Sequence, residues 1–216
     1  MGPDHEKTIL AQENLAVVNL ELGKEHYQKA HDMMMDVVDR RIKTMGKEAP
    51  WTLMALNNLA WAKHHLGDNL EAEKILREGL VIAHRDVGED HHGVLSAKRR
   101  LAWILAVQGM SLQGESAKSK FEEAEQIFIY LLDRKHYQGG IRVSGAVKGD
   151  QRDRIFNLYK FVEFWEMRKV YDKALTHCQE LCDILRESDH PIAEMSRKKR
   201  ASLEQLARNA SCIDGS

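Results

Sequence analysis

The chain has 216 residues, 43% of them apolar and 30% charged, with a formal net charge of −1; this suffices for one elongated domain or two small ones and carries no charge excess to favour a nucleic-acid or membrane partner. Only Pro3, Pro50 and Pro191 break a composition rich in Leu, Ala, Glu and Lys, no run of 18 apolar residues suggests a membrane span, and the N-terminal Met-Gly-Pro-Asp-His does not read as a secretory leader. Three cysteines, Cys178, Cys182 and Cys212, do not make a disulfide framework and point to a reducing, cytoplasmic setting.

In chain order, the first predicted unit (about 2–45) starts at Asp4-His5-Glu6 and reaches Leu15-Ala16 ten residues after Glu6. It turns at Gly23 and enters a second helix holding Ala30. The second unit (46–87) starts at Pro50, reaches Leu59-Ala60 at the same distance, turns at Gly67 and places Ala72 twelve residues after Ala60. The third (88–137) starts at Gly88-Glu89-Asp90-His91-His92, reaches Leu101-Ala102 and turns at Gly109 before Ala124. Its Met110–Lys120 stretch is extra, and is either a loop or an extension of both helices. Residues 138–149 hold Gly139, Gly140, Gly145 and Gly149 and are expected to form a mobile surface insertion. The fourth unit (150–188) repeats the spacing with Phe161-Val162 and Ala174. A last helix (190–210) begins at Asp189-His190-Pro191, reaches Ala201 and keeps Leu203 and Leu206 beside Arg200; it reads as an amphipathic cap.

The recurrence describes a first helix (A), a turn often holding Gly, and a second helix (B). The small residue in A and the early Ala in B stand where two helices approach closely, since a larger side chain would push them apart. Asp-His-Pro reads as helix-start chemistry, an acidic group near the cap and a Pro whose missing N–H costs nothing. One unit cannot bury its own apolar stripes, so neighbours must stack. The expected fold is all-α, a right-handed superhelical solenoid of about four helix pairs with a C-terminal capping helix, forming one domain.

The 42-residue spacing, the Gly-x-Asp-His-Pro start (kept in part as Gly88-Glu89-Asp90-His91 and as Asp189-His190-Pro191), Asn57-Asn58-Leu59-Ala60 and Gly67-Asp68-x-x-Glu71-Ala72-Glu73 resemble the tetratricopeptide repeats of kinesin light chains. Similar arrays form the C-terminal arm of NB-ARC and NACHT receptors. The resemblance covers residues 2–135 well and 150–207 more loosely. It implies a protein- or peptide-binding module of a larger signalling or adaptor protein, from which this chain would be a piece.

Phosphate-binding loops, dinucleotide fingerprints, His-Glu-x-x-His and nucleophile-elbow patterns are absent from the sequence, so no catalytic residue and no cofactor is assigned. His64-His65 and His91-His92 lack partners at ligand spacing and are not assigned to a metal. Cys178 and Cys182 fall on the inward stripe of a B helix and read as small buried hydrophobes. The basic run Arg197–Arg200 reads as a solvated face.

The resemblance implies a concave wall made by the A helices; with the small residue of each as position eight, positions five, six and nine are expected to face it. This nominates Asn14, Asn58, Trp61, Arg99, Arg100, Trp103, Tyr159, Lys160 and Lys199 as groove residues, with Glu13 also on the wall. Asn offers a donor and an acceptor to an extended backbone, Arg and Lys attract carboxylates, and Trp supplies an amphipathic anchor. The resemblance implies peptide contact for Asn14 and Asn58. The expected ligand is an extended acidic and apolar segment; the alternative is a structural scaffold, or a self-association arm whose groove is not used, with Trp61 and Trp103 packing neighbouring A helices.

Overall fold

The structure, a computed structural model, describes residues 2, 4–89, 91–133, 149–186 and 191–214. Among them the regular elements are all helical: α1 (Glu6–Leu22), α2 (Tyr27–Met45), α3 (Pro50–His65), α4 (Asn69–Val87), α5 (His92–Ser111), α6 (Gly114–Asp133), α7 (Gly149–Met167), α8 (Tyr171–Ile184) and α9 (Pro191–Asp214). A 3-10 turn at Lys24–His26 joins α1 to α2. The odd-numbered helices are of type A and the even-numbered ones of type B. The chain divides into two compact units, the first ending at Ala124 and the second starting at Glu125, within α6.

The register drawn from the small residues is the register of the core. Ala16, Ala60, Ala102 and Val162 on the A helices, and Ala30, Ala72, Ala124 and Ala174 on the B helices, are all fully buried. Around them the first unit packs Ile9, Met34, Val37 and Val38 against Ala55 and Leu59, and Leu20 and Ala30 against Ala62. The second unit has an aromatic centre: Phe128, Phe161, Phe164 and Trp165 stack with centroids 4.9–5.8 Å apart. Offset and tilted ring pairs of this kind add to plain burial.

Asp68 Oδ1 caps α4, accepting from Glu71 N–H at 3.4 Å, but two helix starts have no acidic cap. In α1 and α5 the acceptor is a histidine: Lys7 N–H donates to His5 Nδ1, and Gly93 N–H to His91 Nδ1, each at 3.2 Å. Only a neutral imidazole can accept there, and burial, reinforced by His92, holds His91 below the usual histidine value. Pro50 occupies the first turn of α3, as expected. At the other end of α3, Gly67 at φ +89° lets the chain turn while Asp68 N–H donates to Lys63 O at 3.0 Å.

Gly109 is a correction: it lies inside α5 and not in a turn. Its role is close approach, since a Cβ there would stand 2.9 Å from the Phe121 ring of α6. The Met110–Lys120 stretch resolves as extension, α5 running to Ser111 and α6 starting at Gly114. Most of the predicted 138–149 insertion lies outside the described residues; Gly149 already opens α7. The last helix continues to Asp214, beyond the expected 210. No helix among the described residues is long and apolar enough to cross a membrane.

Candidate functional site

In the first unit a chain of polar contacts crosses four helices. Arg41 of α2 donates from Nη2 to Glu13 Oε2 of α1 at 2.6 Å. Glu13 Oε1 accepts from Asn58 Nδ2 of α3 at 2.9 Å. Asn58 Oδ1 then accepts from Arg100 Nη1 of α5 at 2.9 Å, and the same nitrogen donates to Asn57 O at 2.7 Å. A buried charge needs a counter-charge, and Glu13 supplies it to Arg41, whose Nε nevertheless stays without a hydrogen-bond partner.

Two wall residues therefore differ from their sequence assignment. Glu13 is buried, because position five of α1 turns towards α2, where Arg41 supplies its counter-charge. Arg100 is mostly covered, its guanidinium 5.5 Å from the Trp61 ring centroid. Burial, reinforced by neighbouring Arg99, brings its pKa down to about 10. Asn58 is spent on its neighbours, one amide hydrogen and its oxygen both engaged.

Above this chain lies Trp61, part-buried and held on several sides. It stacks on His64 at 4.8 Å and meets His65 edge-on at 4.9 Å. His65 in turn lies 4.6 Å from Tyr27, and His64 Nδ1 pairs with Asn69 Oδ1 at 2.6 Å. Ligand spacing tests the two histidines only as metal ligands and misses this role. Their spacing from Trp61, three and four residues on, is the available sign that they share its face. Among the described residues no group of three or more His, Cys, Asp or Glu is placed to hold a metal ion. Arg99 and Trp103, four residues apart, are part-buried on α5, and Asn14 is exposed on α1.

The second unit carries the remaining nominated residues. Tyr159 packs against the Ile155 and Leu158 cluster, and burial followed by the Glu163 carboxylate raises its pKa. Lys160 Nζ pairs with Glu163 Oε2 at 2.8 Å, and Lys199 Nζ with Glu166 Oε2 at 2.6 Å. Burial is the largest influence on Lys199 and works against its charge, but the bond to Glu166 and the charges of Glu166, Tyr159 and Glu163 together outweigh it and the pKa rises. Lys160 and Lys199 are therefore matched by carboxylates, whereas Arg100 is held by Asn57 O and Asn58 Oδ1. Cys178 is fully buried, its thiol pushed up to about 12 by burial and then by Cys182.

An apolar crevice opens among α3, α4 and α5, lined by Leu53, Leu56, Asn57, Leu76, Gly79 and Val94. Its cause is legible in the repeat. Seven residues after the early Ala, the other B helices bury Val37, Leu131 and Leu181, whereas α4 has Gly79. A Cβ at Gly79 would meet nothing within 4 Å.

A family model for the tetratricopeptide repeat matches residues 52–93. Among solved structures, the kinesin light chain-type, nearly identical TPR-like repeats of Podosopora anserina match with a TM-score of 0.64 at 19% identity, covering 98% of this chain and 92% of that one. A single-substitution variant of those repeats matches at 0.63 and 18%, covering 100% and 92%. BtubC (BKLC) from P. vanneervenii matches at 0.62 and 15%, covering 96% and 78%. No curated protein matches the sequence. At these identities the structural likeness establishes a shared fold.

Proposed function

We propose that this chain, an array of tetratricopeptide repeats of the kinesin light chain-like type, is a binding module without catalytic activity that takes an extended acidic and apolar segment on the A-helix face of its first unit. Arrays of this kind serve as protein-interaction modules. The observation that carries the finer reading is Trp61, a large ring fixed before any partner arrives by His64, His65 and Arg100. An aromatic anchor already held in place loses little entropy on binding. Arg99 and Trp103 on α5 supply the charge and a second ring, and Asn14 supplies amide hydrogen bonds. Arg100 and Asn58 act from beneath by holding Trp61 and α3 in place. In the second unit Tyr159, Lys160 and Lys199 form a charge-balanced surface, where an incoming carboxylate competes with Glu163 or Glu166 and so gains selectivity more than affinity. The setting is the cytoplasm, within a signalling receptor or an adaptor.

The test is hydrogen exchange of the full chain with and without a peptide selected from an acidic and apolar library. Slowed exchange along α3 and α5 is expected; slowing confined to other helices would overturn the assignment. A scaffold role is the second reading, favoured by the way Asn58 and Arg100 are spent on each other. It predicts that no selected peptide alters exchange on these helices.

A further inference from the structure

The crevice among α3, α4 and α5 has a filled counterpart in another repeat. Leu181 and Leu185 of α8 lie in one buried cluster with Ile155 and Leu158 of α7 and Ala193 of α9. In the register set by the small residues, the counterparts of those five are Gly79, Ala83, Leu53, Leu56 and Val94, and all five line the crevice. The walls from the A helices are kept while the side chains from the B helix are lost: one leucine is absent and a second is cut back to a methyl. Val94 in place of Ala193 returns only part of that volume. What remains is space for a branched aliphatic chain of leucine size, and a Cβ on Gly79 would meet nothing within 4 Å. Protein interiors are close-packed, so lining atoms without neighbours forfeit dispersion contacts that a guest of matching shape restores.

The lining also specifies polarity. Among the described residues it contains no Lys, Arg, Asp or Glu. Its His91 is neutral, since Nδ1 accepts from Gly93 N–H. The other polar side chain on it is Asn57, whose Oδ1 is shielded from water and has no hydrogen-bond partner. An unmet buried acceptor is costly, and the terminal torsion of an Asn amide is soft enough to turn it towards a donor. We infer that the crevice is a binding site for an uncharged small molecule, a branched aliphatic chain of leucine size that ends in a hydroxyl or an amide N–H. The acidic segment proposed for the A-helix face finds no cation here among the described residues. None of Asn14, Asn58, Trp61, Arg99, Arg100 and Trp103 lines the crevice, so the two sites are separate and are tested separately.

The experiment uses the full chain and isobutanol as the probe, with binding read from the leucine and valine methyl signals in nuclear magnetic resonance. Saturable shifts confined to Leu53, Leu56, Leu76, Leu80 and Val94 are expected for the wild type. Gly79→Leu restores the absent side chain and should abolish them. Gly79→Ala fills less and should weaken binding about fourfold, the worth of one methyl group; it carries the test if Gly79→Leu does not fold. The preference for isobutanol over its methyl ether, which has no donor, should fall about fivefold in Asn57→Ala, the worth of one hydrogen bond. No saturable shift in the wild type, equal binding by both Gly79 variants, or an unchanged preference in Asn57→Ala overturns the inference. So does an acidic and apolar peptide that shifts the same methyls in the wild type but not in Gly79→Leu, since a peptide side chain would then be the occupant.

Discussion

Glu13→Ala removes the carboxylate on which two other groups depend. Glu13 and Arg41 are both almost wholly buried and meet at 2.6 Å, so the substitution strands a guanidinium out of water with no counter-charge. Breaking a buried pair from one side costs about 3–5 kcal/mol. Asn58 Nδ2 loses its acceptor in the same step, and a stranded buried donor costs about 1–3 kcal/mol, which places the total at the upper end. Glu13→Leu combined with Arg41→Met removes both charges together, leaves only the Asn58 donor unmatched, and should return to within about 2 kcal/mol of the wild type. Urea denaturation followed by circular dichroism measures all three proteins. A Glu13→Ala protein within about 1 kcal/mol of the wild type would refute the claim that this contact chain holds α1, α2, α3 and α5 together.

Arg100→Glu should cost about 3 kcal/mol or more, where an exposed reversal would cost under about 1 kcal/mol, because it sets a carboxylate against Asn58 Oδ1 inside the packed face; denaturation midpoints decide between the two. Gly79→Ala should stabilise by about 1 kcal/mol, since it removes a helix-interior glycine and its new methyl enters open space; a lower melting temperature would mean the crevice is filled by movement of its walls. His91 accepts a hydrogen bond only when neutral, and its pKa lies below the ordinary 6.5. Its contribution is thus complete above pH 6.5 and is lost as pH falls through the folded value. His91→Asn should keep the cap and flatten that part of the stability profile, measured by thermal melts from about pH 8 to about pH 5.

The register was legible because steric demand is written in residue size. Wherever two helices cross closely the chain keeps Ala16, Ala60, Ala102, Ala30, Ala72, Ala124 and Ala174, and all of these are buried. Site chemistry was less legible, for a geometric reason. Successive residues on a helix point about 100° apart, so placing Glu13 or Arg100 on an open wall depends on a helix rotation that spacing does not fix. What turns Glu13 inward is Arg41, 28 residues away, and what balances Lys199 is Glu166, on a different helix. Neither pairing leaves a periodic trace. The histidine caps are hidden in a motif whose acidic and proline members carry the more familiar helix-start chemistry, and Gly79 shows only when the four B helices are laid in register.

The central claim is that the Trp61 and Arg99 face of the first unit binds an acidic and apolar segment. Its most direct test is the affinity of one selected, fluorescently labelled peptide for wild type, Trp61→Ala and Arg99→Glu across a salt series. Trp61→Ala should weaken binding tenfold or more with the salt dependence kept, because its contribution is burial. Arg99→Glu should weaken binding at low salt and flatten the salt dependence, because its contribution is charge. Unchanged affinity in both variants, each folded as judged by circular dichroism, would contradict the account.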